Sequence, residues 1–147
     1  LQMDYKEKLL VGYKWYDKKK IEPLFPFGHG LSYSKFKLKK VSVTKKKHEI
    51  KIKVKLKNIG DFSTFETVQC YLERKAVKAG TPKKKLVDFK KLKITKNKSK
   101  TLTLKVSKRD LSEWDVKNSK WEIAKGDYVI HIGTSVKDIS ITEEIKI

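Results

Sequence analysis

The run His48-Glu49-Ile50-Lys51-Ile52-Lys53-Val54-Lys55-Leu56-Lys57-Asn58 constrains this chain more than any other stretch. Apolar side chains recur at every second position with lysine between them. A helix would scatter that set around its axis, whereas a strand sends Ile50, Ile52, Val54 and Leu56 to one face and the lysines to the other. The pattern is that of a half-buried antiparallel strand, ended by the turn signal Asn58-Ile59-Gly60-Asp61. The same alternation returns at Leu102, Leu104 and Val106, at Tyr128, Ile130 and Ile132, and at Ile139 and Ile141.

Less regular strands are expected over Phe36 to Val43, Thr67 to Glu73 and Leu86 to Ile94. In the first, the apolar parity shifts between Leu38 and Val41, as a β-bulge requires. About seven short strands result, with no helical period beyond a turn near Lys108 to Ser112. A sheet with one apolar face has to bury it against a second layer, which predicts an all-β, immunoglobulin-like antiparallel two-sheet sandwich over residues 36–147. Gly126-Asp127-Tyr128 opens a late strand in the manner of a tyrosine corner. An ordinary core tyrosine is the plainer reading of the same residues. At 147 residues one core is expected, without a second.

Residues 1–35 obey none of these rules. They hold Tyr5, Tyr13, Trp15, Tyr16, Phe25, Phe27 and Tyr33, with Pro23 and Pro26 opposing ladder pairing and Gly12, Gly28 and Gly30 allowing tight bends. An irregular aromatic arm of this kind does not fold alone, so the sandwich or another domain is expected to cover its rings.

The arm carries no self-evident chemistry. Gly28-His29-Gly30 resembles the start of a dinucleotide-binding loop, but Tyr33 stands where the third glycine belongs and no strand-then-helix context surrounds it. His29 has no ligand partner at metal spacing, since His48 and His131 fall in other strands, and Ser32 lies in no nucleophile elbow. His29 reads as a hydrogen-bonded turn residue. The carboxylates Asp4, Glu7, Asp17, Glu22 and Glu66 include no two that the sequence sets across a cleft for glycoside hydrolysis. Cys70, the single cysteine, sits in an apolar alternation and reads as a small core residue, which leaves the redox compartment open.

Charge raises a different class of function. There are 37 Lys plus Arg against 17 Asp plus Glu, a net +20, which suggests nucleic acid, anionic polysaccharide or an acidic membrane as partner. Only Arg74 and Arg109 are arginines, however, and arginine is the residue suited to bidentate recognition of bases and phosphates. The lysines are spread along the chain at alternate strand positions, as solvated faces would place them. Salt-sensitive, nonspecific adhesion to polyanions is expected; specific nucleic-acid binding is not. No apolar run spans a membrane, and the first residues lack a secretory signal's basic-then-apolar order. The chain begins at leucine, consistent with a mature product or a piece of a longer protein.

Tyr5 through Phe36, including Pro26-Phe27-Gly28-His29-Gly30-Leu31-Ser32-Tyr33, closely resembles the segment of β-glucosidase-type glycoside hydrolase family three enzymes that leads from the second catalytic domain into a C-terminal fibronectin type III-like domain. Asn58-Ile59-Gly60-Asp61 and Glu66-Thr67-Val68-Gln69-Cys70-Tyr71 resemble the family's Asn-Thr-Gly turn and Glu-Val-x-Gln-Leu-Tyr strand. Leu86 to Lys91, Arg109 to Asp115, Gly126-Asp127-Tyr128, and Gly133 to Ser135 with Asp138-Ile139 extend the match over nearly the whole chain. Lys8, Lys14 and the loop Thr95 to Ser99 depart from the pattern, the first two where contacts with the catalytic domains would fall.

The resemblance implies a chain that is noncatalytic alone, from a parent that uses no cofactor, and the residues themselves offer no metal ligand set. The family's nucleophilic aspartate and acid/base glutamate belong to two preceding domains, and the parent would be a retaining hydrolase releasing terminal β-linked sugars. Residues 1–35 become a bridging arm and the role that of a brace for the catalytic domains. Tyr13, Trp15, Tyr16, Phe25, Phe27, His29 and Tyr33 are the candidates for interdomain packing. Gly28, Gly30, Asn58, Gly60, Gly126 and Tyr128 are the structural positions. The alternative is a module holding a polysaccharide or polyanion through exposed rings and lysines.

Overall fold

A computed structural model describes residues 4, 6–46, 49–77 and 79–147; Tyr5 and His48, singled out above, lie outside them. Nine strands are described: β1 Phe36–Lys45, β2 Glu49–Asn58, β3 Thr64–Arg74, β4 Lys84–Ile94, β5 Ser99–Ser107, β6 Ser112–Asp115, β7 Lys120–Ile123, β8 Asp127–Gly133 and β9 Ile139–Lys146. Seven of them form two antiparallel sheets, in the orders β1-β2-β5 and β4-β3-β8-β9, and β6 and β7 make a separate hairpin.

The alternation of β2 does what its periodicity requires. Ile50, Ile52, Val54 and Leu56 are buried, and they meet Val68, Cys70 and Leu72 of β3, Leu102, Leu104 and Val106 of β5, and Ile130 and Ile132 of β8 in one core. Each such side chain contributes roughly 1.5–3 kcal/mol by leaving water. The register of β1 slips between Lys40 and Ser42, so Val41 is the bulged residue and Val43 returns to the core side. Residues 108–111 form a turn.

Two elements depart from the sequence-based expectation. The β6–β7 hairpin sets Trp114 against Trp121 at a tilt of 57°, with ring centroids 5.5 Å apart, outside both sheets. The arm, expected to be irregular, contains a seven-residue helix, α1, over Tyr13–Lys19. Lys18 and Lys19 lie in its last turn, where cations complement the helix dipole, and Lys20 closes it in the left-handed conformation at φ 56°.

Candidate functional site

The arm lies against the outer face of the four-stranded sheet, and α1 presents its i, i+4 pair to that face. The Tyr13 hydroxyl accepts a hydrogen bond from the Leu86 amide at 2.7 Å, and its ring stands edge-on to Tyr71 at 6.0 Å. One turn on, Asp17 meets Lys84 at 3.3 Å. Phe27 stacks on Tyr13 at 4.9 Å, while its carbonyl accepts from the Val136 amide at 2.9 Å. Tyr71 is thereby removed from solvent altogether, although its side chain leaves the sheet on the side away from the core.

Gln69 and Gly28 form the tightest seam. Gln69 points outward from β3, is 5% exposed, donates through Nε2 to the Thr134 carbonyl at 2.7 Å and accepts the Tyr71 hydroxyl. Gly28 has φ +82°, and a Cβ there would lie 2.2 Å from Gln69 Nε2. Glycine meets both demands, the backbone conformation and the close approach. Burial raises the Tyr13 hydroxyl above the ordinary tyrosine value and the Tyr71 hydroxyl well above it, so both stay protonated at physiological pH.

A second fastening closes the junction between arm and sandwich. Asn58, fully buried, uses its whole amide. Its Oδ1 accepts from Ser34 Oγ at 2.6 Å and from the Gly60 amide at 3.0 Å. Its Nδ2 donates to the carbonyls of Phe62 at 2.7 Å and Ile94 at 3.1 Å. Gly60 is pressed against Ser34 and Lys35, where a Cβ would sit 2.3 Å from Ser34 Oγ. The arm's last residues, the β2–β3 turn and the end of β4 are tied at one side chain.

The packing candidates therefore divide. Tyr13 and Phe27 contact the sandwich. Trp15 is half-buried, with Lys19 Nζ 4.8 Å above its ring. Tyr16 is 41% exposed, while Phe25 at 71% and Tyr33 at 86% stand in solvent with Leu24 and Leu31. His29 stacks on Phe25 at 5.7 Å, and its amide donates to the Pro26 carbonyl at 2.8 Å, the turn role read from sequence. Gly30 is open, with nothing within 4 Å of where a Cβ would stand. Gly126, at φ +143°, exchanges backbone hydrogen bonds with Ile147. Tyr128 is buried and its hydroxyl donates to the Ala124 carbonyl at 2.5 Å, the geometry of a tyrosine corner.

Sequence reasoning does not find Gln69, Tyr71, Leu86 and Asp17 as arm contacts. The available signal is Tyr71, a large ring at an outward position of a strand whose inward positions are Cys70 and Leu72. Cys70 itself is buried in the core, and desolvation pushes its thiol up to about 12, so it is an inert packing residue.

A two-sheet antiparallel sandwich with a tyrosine corner is an immunoglobulin-like architecture, which fibronectin type III domains share. Residues 66–136 match the family model described as "Fibronectin type III-like domain". The chain is 39% identical, over 99% of its length, to thermostable beta-glucosidase B of Acetivibrio thermocellus, and covers 20% of that protein. It is 34% identical over 95% of its length to an exo-alpha-(1->6)-L-arabinopyranosidase of Bifidobacterium breve, covering 19% of it. The crystal structure of a Bifidobacterium adolescentis GH3 beta-glucosidase superposes with a TM-score of 0.92 at 30% identity, over 98% of this chain and 22% of that one. Residues 66–136 match a fibronectin type III-like domain, and nearly the whole chain is similar to one portion of GH3 beta-glucosidases. It spans about a fifth of the length of the curated relatives it matches.

Proposed function

We propose that the chain braces the catalytic domains of a longer glycoside hydrolase, with residues 1–35 as the bridging arm and the sandwich from Phe36 as the body it is fastened to. One observation carries the reading. The arm is held on its sandwich side by Tyr13, Phe27 and Ser34, while its other side presents Leu24, Phe25, Leu31 and Tyr33 at 71% exposure or more. Apolar surface of this kind, on a segment that is otherwise fixed, is what a neighbouring domain would cover.

The parent enzyme hydrolyses terminal glycosidic bonds on this reading, and this portion takes no part in choosing the sugar. That division fits the relatives, since near-equal matches carry names that specify a glucoside in one case and an arabinopyranoside in another. The double variant Phe25→Ser/Tyr33→Ser separates bracing from mere folding. The isolated chain should keep its melting temperature, because both rings already stand in water, whereas the full-length enzyme should melt several degrees lower with its catalytic carboxylates untouched. An unchanged full-length enzyme would sink the bracing role.

A further inference from the structure

Lysines that lie far apart in sequence are gathered by the strand register onto one face. The outer face of the three-stranded sheet carries Lys37 and Lys39 of β1, the four alternating lysines 51 to 57 of β2, and Lys105 of β5. Lys37 stands opposite Lys57, Lys39 opposite Lys55, and Lys51 opposite Lys105. Like charges facing each other across a ladder destabilise a sheet. Compensation is slight: Glu49 lies 2.9 Å from Lys51 Nζ and 4.0 Å from Lys105 Nζ. Among the described residues, no carboxylate comes within 4.0 Å of Lys37, Lys39, Lys53, Lys55 or Lys57.

The spaces between these charges are filled by hydroxyls. Lys53 stands between Ser42 and Thr103, Lys55 is flanked by Thr101, Lys57 by Ser99 and Lys51 by Thr44. The paired outward positions of the three strands hold neither an aromatic nor an apolar side chain. Stacking of unpaired bases needs rings, and insertion into a bilayer needs apolar wedges, so neither single-stranded nucleic acid nor a membrane matches this surface. Arg74 and Arg109, the two side chains able to fork onto phosphate, lie elsewhere on β3 and before β6. Lysines stand about 6.8 Å apart along β2 and the strands about 4.8 Å apart across the face. It also backs away from the arm, which lies on the opposite outer face of the sandwich.

We propose that this face binds a linear polyuronate, an acidic polysaccharide whose carboxylates sit on the lysines and whose ring hydroxyls meet the interleaved serines and threonines. The proposal is independent of the bracing role, because the surface stays open with the arm fully covered. Lysine supplies point charges suited to carboxylates spaced along a ribbon, and the Ser and Thr rows distinguish a sugar polymer from a bare polyanion.

Affinity electrophoresis of the 147-residue chain through gels carrying polygalacturonate tests it. Fully methyl-esterified polygalacturonate, single-stranded RNA and phosphatidylglycerol vesicles serve as comparison ligands at matched salt. Polygalacturonate should retard the chain saturably and the methyl ester should not. Lys53→Gln/Lys55→Gln/Lys57→Gln should weaken binding about tenfold, the scale expected when three charge contacts are removed. Lys90→Gln/Lys117→Gln/Lys125→Gln, an equal loss of charge at exposed sites elsewhere, should change it less than about threefold, with circular dichroism confirming that both triples fold. Equal losses for the two triples, undiminished binding of the methyl ester, or tighter binding of RNA or vesicles than of polygalacturonate would each overturn the assignment.

Discussion

Asn58→Ala is the most incisive single perturbation of this fold. The side chain makes four hydrogen bonds, to Ser34 Oγ, the Gly60 amide, and the carbonyls of Phe62 and Ile94. A net hydrogen bond is worth about 1 kcal/mol, and a partner left unsatisfied in a buried place costs about 1–3 kcal/mol. Ser34 and Gly60 can turn to water, but the Ile94 carbonyl lies inside, so the expected loss is about 3–4 kcal/mol. For a domain of this size that lowers the melting temperature by roughly 10 °C. Asn58→Asp sharpens the test. It keeps both acceptor contacts, loses both donors and faces two carbonyl oxygens with a charge, so it should be worse than alanine at pH 7. Its carboxyl would be held protonated above the ordinary range, so its deficit should shrink as pH falls. Urea unfolding followed by tryptophan fluorescence at neutral and acid pH reads both effects. A loss below about 1 kcal/mol for Asn58→Ala, or an aspartate variant more stable than alanine at pH 7, would refute the account of Asn58 as the fastening of arm, turn and β4.

Three further outcomes are expected. Gly28→Ala should cost roughly 2–4 kcal/mol, from the left-handed backbone and the displaced Gln69, whereas Gly30→Ala, with open space around it, should stay within about 0.5 kcal/mol; paired thermal melts compare them. Glu66 is half-buried, and burial above all, with Asp138 adding to it, raises its carboxyl from 4.5 despite the Thr67 amide it accepts. A raised acid favours the folded state most below 4.5 and loses that contribution as pH rises through its folded value. Glu66→Gln should therefore raise the melting temperature at pH 7, with the gain vanishing towards pH 4, and a gain that persisted in acid would contradict the burial effect. The isolated chain should release no sugar from an aryl β-glycoside, and turnover by it would place chemistry in this portion.

The legible parts of the fold are those decided by a single water-facing side. β2 announces itself because its lysines must be outside if Ile50 to Leu56 are inside, and the β1 bulge follows from one parity slip. The helix α1 escapes notice since seven residues show no full period, and its anchors, Leu86 for Tyr13 and Lys84 for Asp17, are about 70 residues away in sequence. In the β6–β7 hairpin β7 is exposed at every residue and β6 buries only Ser112, so there is no apolar rhythm to read. The lysines read as dispersed charge because their convergence depends on which strands become neighbours. That order, β1-β2-β5, is a property of topology rather than of any local pattern.

The contrast between β2 and β3 bears on where the folded unit starts. β2 alternates because only one of its faces is covered. β3 is buried without interruption from Val68 to Leu72, as strands are when both faces are covered. Val68, Cys70 and Leu72 take the core, which leaves Gln69 and Tyr71 to a second cover, and that cover is Tyr13, Phe27 and Gly28. A sandwich beginning at Phe36 would thus expose a fully buried tyrosine, uncover the Gln69 side chain and remove Ser34 from Asn58. Deleting residues 1–35 should cost the isolated sandwich several kcal/mol through Tyr71 and Asn58 alone, by the magnitudes for lost buried rings and unsatisfied amides. Hydrogen exchange would localise the damage: protection should fall first at β3, β4 and the β2–β3 turn, with β5 retained. Uniform protection after the deletion would mean that the arm is a tether, whereas selective loss along β3 would make it the third layer of the fold.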